Sequence, residues 1–320
     1  MTFDEHRGRF LAFWIVVFSV VPYVALKCAW LAGSHIGMRS GSGVDEMGTP
    51  RFIVGNIITI GLDLLAILFA VALIRPWGQR VPGWFVFVLA GGATGLLAPI
   101  LIGLPIGSVL QLAIEGDLAS EKQGNLQGWV FGVVYGGFGI MALALALLLA
   151  LYARDRWGEL IAVGPKPPTK ASTTVCCGAG MLVMGIAMLF WAIFGPGDTG
   201  PVGMSSITQR TVLFVIGLAA IGGFFAPFIR QRTPVQASVG GLVTWIGCAT
   251  TALQGPAGLL LAHDGQVNPL GIPLAAAGTL GALVYGLSVL RSTKLAAISR
   301  GLYEPASNRG ANVESRHGVE

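Results

Sequence analysis

Two ionisable side chains sit where lipid should be. Asp63 is the only charge between Phe52 and Ile74, and Lys27 is the only charge between Phe10 and Ala32. An ionised group at bilayer depth costs about 2.5–3.5 kcal/mol on insertion scales, so it turns toward a partner or a cavity rather than toward lipid. Each has polar company at helical spacing. Asn56, Thr59 and Asp63 are three and four residues apart and share one helix stripe. Tyr23, Lys27, Trp30 and Ser34 are spaced four, three and four apart and share another. With 1.5 Å of rise per residue, Lys27 and Asn56 should lie roughly 6–7 Å below the outer end of their helices, and Asp63 roughly 16 Å. A direct Lys27–Asp63 bridge therefore needs tilt, a kink at Pro22, or water in between. Lys27 can also extend its stem outward to the interface. Two kinds of chemistry fit. In one, the stripes form an outward-facing polar pocket between the first two helices, with Asp63 at its floor to bind a cation or carry a proton and Lys27 as counter-charge or anion contact. In the other, Lys27 and Asp63 are a buried polar pair that pins the two helices together.

The elements that must carry these residues are transmembrane helices. The 320-residue chain is 54% hydrophobic and only 11% charged, where soluble domains carry about 25%. Mean hydropathy is +0.74. No core of this size hides so much apolar surface from water, so the solvent is the bilayer. Eight runs approach the ~20 apolar residues that a span needs. They lie near 10–32, 52–74, 83–104, 128–153, 174–195, 211–229, 237–260 and 271–290. The expected fold is an all-α polytopic bundle of eight helices filling residues 1–293, followed by a mostly disordered tail over 294–320. Arg7 and Arg9 ahead of an apolar run imitate a secretory signal. However, Phe10 to Leu26 is 17 residues, beyond an ordinary signal core of about 7–15, and Trp30 stands where a small residue is needed. A retained signal anchor is expected.

The net charge of +5 is a topology signal, not a nucleic-acid one. Fifteen of the twenty Lys and Arg residues fall in alternate segments: the N-terminus, the loops 75–82, 154–173 and 230–236, and the tail. Only Arg39, Arg51, Lys122 and Arg210 fall on the other side, and Lys27 lies within a span. Cytoplasmic loops are enriched in Lys and Arg, so both termini are expected inside the plasma membrane. Of the outer segments, 33–51 reads as irregular, and Ser108–Ala119 as a short interfacial helix capped by Ser108.

A weak internal repeat is visible. Leu73-Ile74-Arg75 followed by Arg80-Val81-Pro82 resembles Phe228-Ile229-Arg230 followed by Arg232-Thr233-Pro234, and Gly91-Gly92-Ala93-Thr94 matches Gly247-Cys248-Ala249-Thr250. This suggests two parallel four-helix halves, 1–164 and 165–293, as occur in transporter folds. Small residues four apart mark close helix contacts: Gly128/Gly132/Gly136, Gly91/Gly95, Gly103/Gly107 and Gly278/Ala282/Gly286. Pro22, Pro99 and Pro256 fall inside spans, where each frees a backbone carbonyl.

Other residues point less far. Cys28, Cys176, Cys177 and Cys248 show no CxxC pair or disulfide pattern and read as small buried hydrophobes. His35 and His263, with Asp264, are too scattered to make a metal site, and neither histidine is deep enough to hold haem. The Met181/Met184/Met188 stripe reads as packing. Gln254 beside Gly255-Pro256 is the clear polar feature of the second half. No HExxH, GxSxG, P-loop or GxGxxG element occurs in a suitable context, so neither an enzyme nor a cofactor is expected.

Two segments carry a resemblance: Pro22-Tyr23-x3-Lys27-x2-Trp30-x2-Gly33 and Arg75-Pro76-Trp77-Gly78-x3-Pro82-x-Trp84. Together they resemble a broad group of multi-pass membrane proteins of actinobacteria with no assigned activity, over the first three spans. The resemblance implies an integral membrane protein and no more. The leading functional expectation is a transporter or permease-like protein acting on a small molecule or ion through Tyr23, Lys27, Trp30, Asn56, Thr59 and Asp63. The alternative is a non-catalytic scaffold or regulator that meets a protein partner through its tail or outer loops.

Overall fold

The computed structural model describes residues 3–38, 49–116, 127–260, 268–269 and 271–299. Among them all regular structure is helical. Eight α-helices occur: α1 (Phe3–Leu31), α2 (Pro50–Ile74), α3 (Gly83–Glu115), α4 (Gly128–Val163), α5 (Ala171–Phe194), α6 (Ile207–Phe225), α7 (Pro234–Leu260) and α8 (Gly271–Ser299). Seven are long and apolar enough to cross a membrane. The exception is α7, which has the length but carries more polar side chains; Thr244, Thr250 and Thr251 among them are buried. Large apolar side chains lie exposed along the helices, among them Phe18 on α1, Leu68 on α2, Val109 on α3 and Leu280 on α8. Exposed apolar surface on this scale marks contact with lipid. The chain is a multi-pass integral membrane protein.

The helix ends obey local chemistry. Thr49 accepts a hydrogen bond from the Phe52 amide and Pro50 opens α2, which fixes the register of Asn56, Thr59 and Asp63. A 3-10 turn at Pro76–Arg80 follows α2. There a Cβ on Gly78 would stand 1.7 Å from the Ala72 carbonyl oxygen, so only glycine fits. Three lengths differ from expectation. α3 does not stop at 104 with a separate Ser108-capped helix; it continues through Pro105 to Glu115 and ends at Gly116, whose φ is +73°. The extension is held because Gly103 and Gly107 lie against the backbone of Val212 and Thr208 on α6. α4 runs past 153 to Val163, with a non-helical kink at Trp157. α8 continues past Thr293 to Ser299, because Ala297 remains fully buried and the Lys166 amide donates to Thr293 Oγ1. The rest of the expected disordered tail, and most of the 33–51 loop, lie outside the described residues.

The chain divides into two compact units. The first comprises Met1–Ala153 and Phe190–Val215, the second Arg154–Leu189 and Ile216–Glu320. In the first, α1 packs along α2. Tyr152, buried on α4, donates to the Gly78 carbonyl at 3.0 Å. Gln111, fully buried on α3, accepts from both the amide and the hydroxyl of Thr208. Arg210 donates to the carbonyls of Ala192 and Ile193 at the end of α5, where a cation suits the helix C-terminus.

In the second unit, α7 packs along α8. Tyr285 of α8 is fully buried and donates at 2.7 Å to the carbonyl of Phe224, next to the 3-10 turn Ala226–Phe228 that ends α6. Met181, Met184 and Met188 are buried, and Met184 fills the space over Gly278, as expected of packing residues. Gly286 lies against Cys248, so the α8 small-residue stripe is a true contact. The α4 stripe is not. A Cβ on Gly132 or Gly136 meets nothing, whereas one on Gly137 would stand 2.8 Å from the Ser19 carbonyl oxygen. One residue turns a helix by about 100°, so the contacting face is the neighbouring one. The cysteines are also corrected. Cys28 and Cys176 are exposed, and Cys177 and Cys248 only partly buried; a small weakly polar thiol is tolerated against lipid.

Candidate functional site

The six side chains singled out in α1 and α2 do not form one cluster. Four of them converge and two do not. Lys27 is buried to 2% exposure and donates from Nζ to Thr59 Oγ1. The same ammonium lies 3.9 Å from the ring centroid of Tyr23, one turn earlier on α1. An α1 side chain leans toward the helix N-terminus, so Lys27 reaches back along its own helix to both groups. A cation over an aromatic face gains about 0.5–2 kcal/mol, more when desolvated. Thr59 Oγ1 in turn donates to the Gly55 carbonyl at 2.7 Å.

Asp63 lies one turn further along α2. It is 3% exposed, and its Oδ2 is buried with no hydrogen-bond partner. Lys27 and Asp63 form no ion pair, although each lies within the other's electrostatic field. The staggered depths expected from sequence explain this: the ammonium meets the hydroxyl one turn above the carboxylate. Asp63 instead faces a narrow crevice with about 170 Å³ of empty space, lined by Ser19, Val20 and Tyr23 of α1 and by Val134, Gly137, Phe138 and Met141 of α4. At no point is the crevice wide enough to seat a water molecule. The close approach of Gly137 to Ser19 brings α4 against α1 here, and Phe138 meets Tyr23 edge to face at 5.0 Å.

The remaining two stripe residues serve structure. Trp30 donates from Nε1 to the Ile36 carbonyl at 2.8 Å and packs with Leu26, Met38 and Val130. Its indole closes the turn after α1 rather than lining the crevice. Asn56 is buried and donates to the Phe52 carbonyl of its own helix at 2.9 Å. Sequence spacing missed the partners that matter most. Ser19 was legible, lying four residues before Tyr23 on the same stripe. The α4 residues were not, since nothing in their spacing says which helix covers Asp63. The second unit holds a further buried polar group that spacing alone did not flag: Thr250 and Thr251 are fully buried on α7, beside Gln254. There the Gly255 amide donates to Thr279 Oγ1, next to Pro256 inside the helix. His35 lies in the turn after α1; His263 and Asp264 lie outside the described residues. Among the described residues no three His, Cys, Asp or Glu side chains are grouped to hold a metal ion.

No protein-family model, curated protein or solved structure matches the chain.

Proposed function

We propose that the protein is a transporter or permease-like protein of the plasma membrane, with both termini cytoplasmic and Asp63 as its ion- or proton-binding group. One observation carries the reading: a carboxyl group in mid-span is buried, points into a crevice between helices, and leaves Oδ2 without a partner. Native proteins satisfy their buried polar atoms, and an orphaned one at membrane depth has a functional reason more often than a structural one. Lys27, Thr59 and Tyr23 form the polar shoulder of the site, while Trp30 and Asn56 hold the turn after α1 and the first turns of α2. The narrow crevice supports a closed state, with access gained when α1 and α4 part at Gly137.

A parallel between the units also supports transport. In each, a tyrosine of a later helix donates to a backbone carbonyl near a proline-containing 3-10 turn that ends an earlier one: Tyr152 to Gly78 within the turn, and Tyr285 to Phe224 two residues before it. Such correspondences accompany the repeats of carriers. The orientation rests on the Lys and Arg asymmetry; reporter fusions at the tail that show it outside would reverse it.

A scaffold reading keeps one observation of its own, that Lys27 is already satisfied by Thr59 and Tyr23. A knockout strain separates the two. Grown across a panel of toxic solutes and external pH values, it should show a defect that the wild-type gene restores and Asp63→Asn does not, at equal amounts in the membrane. Full rescue by Asp63→Asn, with failure of a variant truncated after Ser299, would replace transport by the scaffold role.

A further inference from the structure

We propose that the ligand of Asp63 is a proton, and that Lys27 is its mobile counter-cation, resting on Thr59 and Tyr23 while the acid is protonated and moving to the carboxylate when the proton leaves. The inference rests on Asp63 being the binding group of the transport site. It names what that group binds.

The crevice offers a metal cation too few ligands. A hard metal ion wants about six oxygen ligands. Around Asp63 the only other side chains of the lining that carry oxygen are those of Tyr23 and Ser19, and Ser19 Oγ already donates to the Val16 carbonyl at 2.8 Å. The rest of the lining is apolar, and the space admits nothing as large as water. A proton needs neither room nor a coordination shell.

The position of Lys27 fits a neutral acid. A buried carboxylate with a free oxygen would draw in any ammonium within reach, since an unpaired charge in a dry site is far costlier than a paired one. Thr59 and Asp63 are one turn apart, about 6 Å of rise, and lysine has a flexible four-carbon stem to cover it. Yet Nζ stays on a neutral hydroxyl and a ring face. Thr59 is suited to being vacated, because its own hydrogen stays on the Gly55 carbonyl after Lys27 leaves. Tyr23 serves both positions: its ring carries the ammonium and also lines the crevice.

The step balances without any co-reactant. The Asp63 O–H bond breaks and the proton passes to water admitted as the crevice opens. The Lys27 N–H bond to Thr59 Oγ1 is exchanged for one to Asp63. The site holds one positive charge when loaded and a neutral ion pair when empty. Of the titratable groups facing Asp63, α1 supplies Lys27 and Tyr23, while the α4 residues Val134, Gly137, Phe138 and Met141 and the α2 residues Asn56 and Thr59 supply none.

The test uses the full chain in lipid nanodiscs, titrated with acid while infrared spectra follow protonated carboxyl groups. Nitrogen-15 labelling of lysine reports the other partner, with only five lysines in the chain to resolve. Expected is a carboxyl band that grows with acid, is absent in Asp63→Asn, and is matched by a shift of one lysine signal that Lys27→Met removes. Sodium and potassium leave it unchanged. Should Asp63→Asn not fold, displacement of the band in Lys27→Met and Tyr23→Phe, which keep the acid, makes the assignment; no displacement in either overturns the switch. A band erased by sodium at constant pH would replace the proton with a metal cation and leave transport standing. Titration as expected, together with full rescue of the knockout by Asp63→Asn, would keep the proton site and remove transport.

Discussion

Replacing Asp63 by leucine should stabilise the protein. The group is 3% exposed and its Oδ2 has no partner. A buried polar group left unsatisfied costs about 1–3 kcal/mol, which its removal returns. Leucine keeps the branching of aspartate, with two methyl groups in place of the two oxygens beside the apolar residues Val20, Val134 and Met141. Lys27 keeps Thr59 and Tyr23, so no new orphan is created. The expected gain is therefore about 1–3 kcal/mol. A pinning role predicts the opposite sign, because removing one member of a buried ion pair costs about 3–5 kcal/mol. The two outcomes lie at least about 4 kcal/mol apart, well beyond the scatter of single contacts. Unfolding by SDS in mixed micelles at acidic pH, followed by the fluorescence of the eight tryptophans, measures the difference. A loss of 3 kcal/mol or more would refute the reasoning and favour the pinning role.

Helix packing gives two further predictions. Gly137→Ala should destabilise by about 1–3 kcal/mol, because its methyl would stand 2.8 Å from the Ser19 carbonyl oxygen, while Gly136→Ala meets nothing and should be neutral or gain up to about 1 kcal/mol; the same SDS titration ranks them, and equal effects would show that α1 and α4 do not meet at this face. Tyr285→Phe strips the Phe224 carbonyl of its donor and should cost about 0.6–1.7 kcal/mol, the range of hydrogen bonds within membranes; no measurable loss in thermal unfolding would mean that the carbonyl finds another partner.

The amino-acid sequence by itself determined the solvent and most of the elements. Long apolar runs with one charge or none have no other stable home than lipid, and backbone hydrogen bonding there demands helices. It also settled that Lys27 shares a stripe with Tyr23 and Asp63 with Thr59, because helical periodicity is local. It misjudged where α3 and α8 end, since those ends are set by contacts: Gly103 and Gly107 against α6, and Ala297 in the interior. It included Trp30 and Asn56 in the site because spacing tells which face a residue shares, not whether its polar atoms are spent on its own backbone. Only the tertiary structure decided that α4 covers Asp63, that Gly137 rather than Gly136 is the contact, and that the lysine stops one turn short of the acid. Those outcomes depend on the rotation and stagger of neighbouring helices, which are fixed by close packing between residues far apart in the chain.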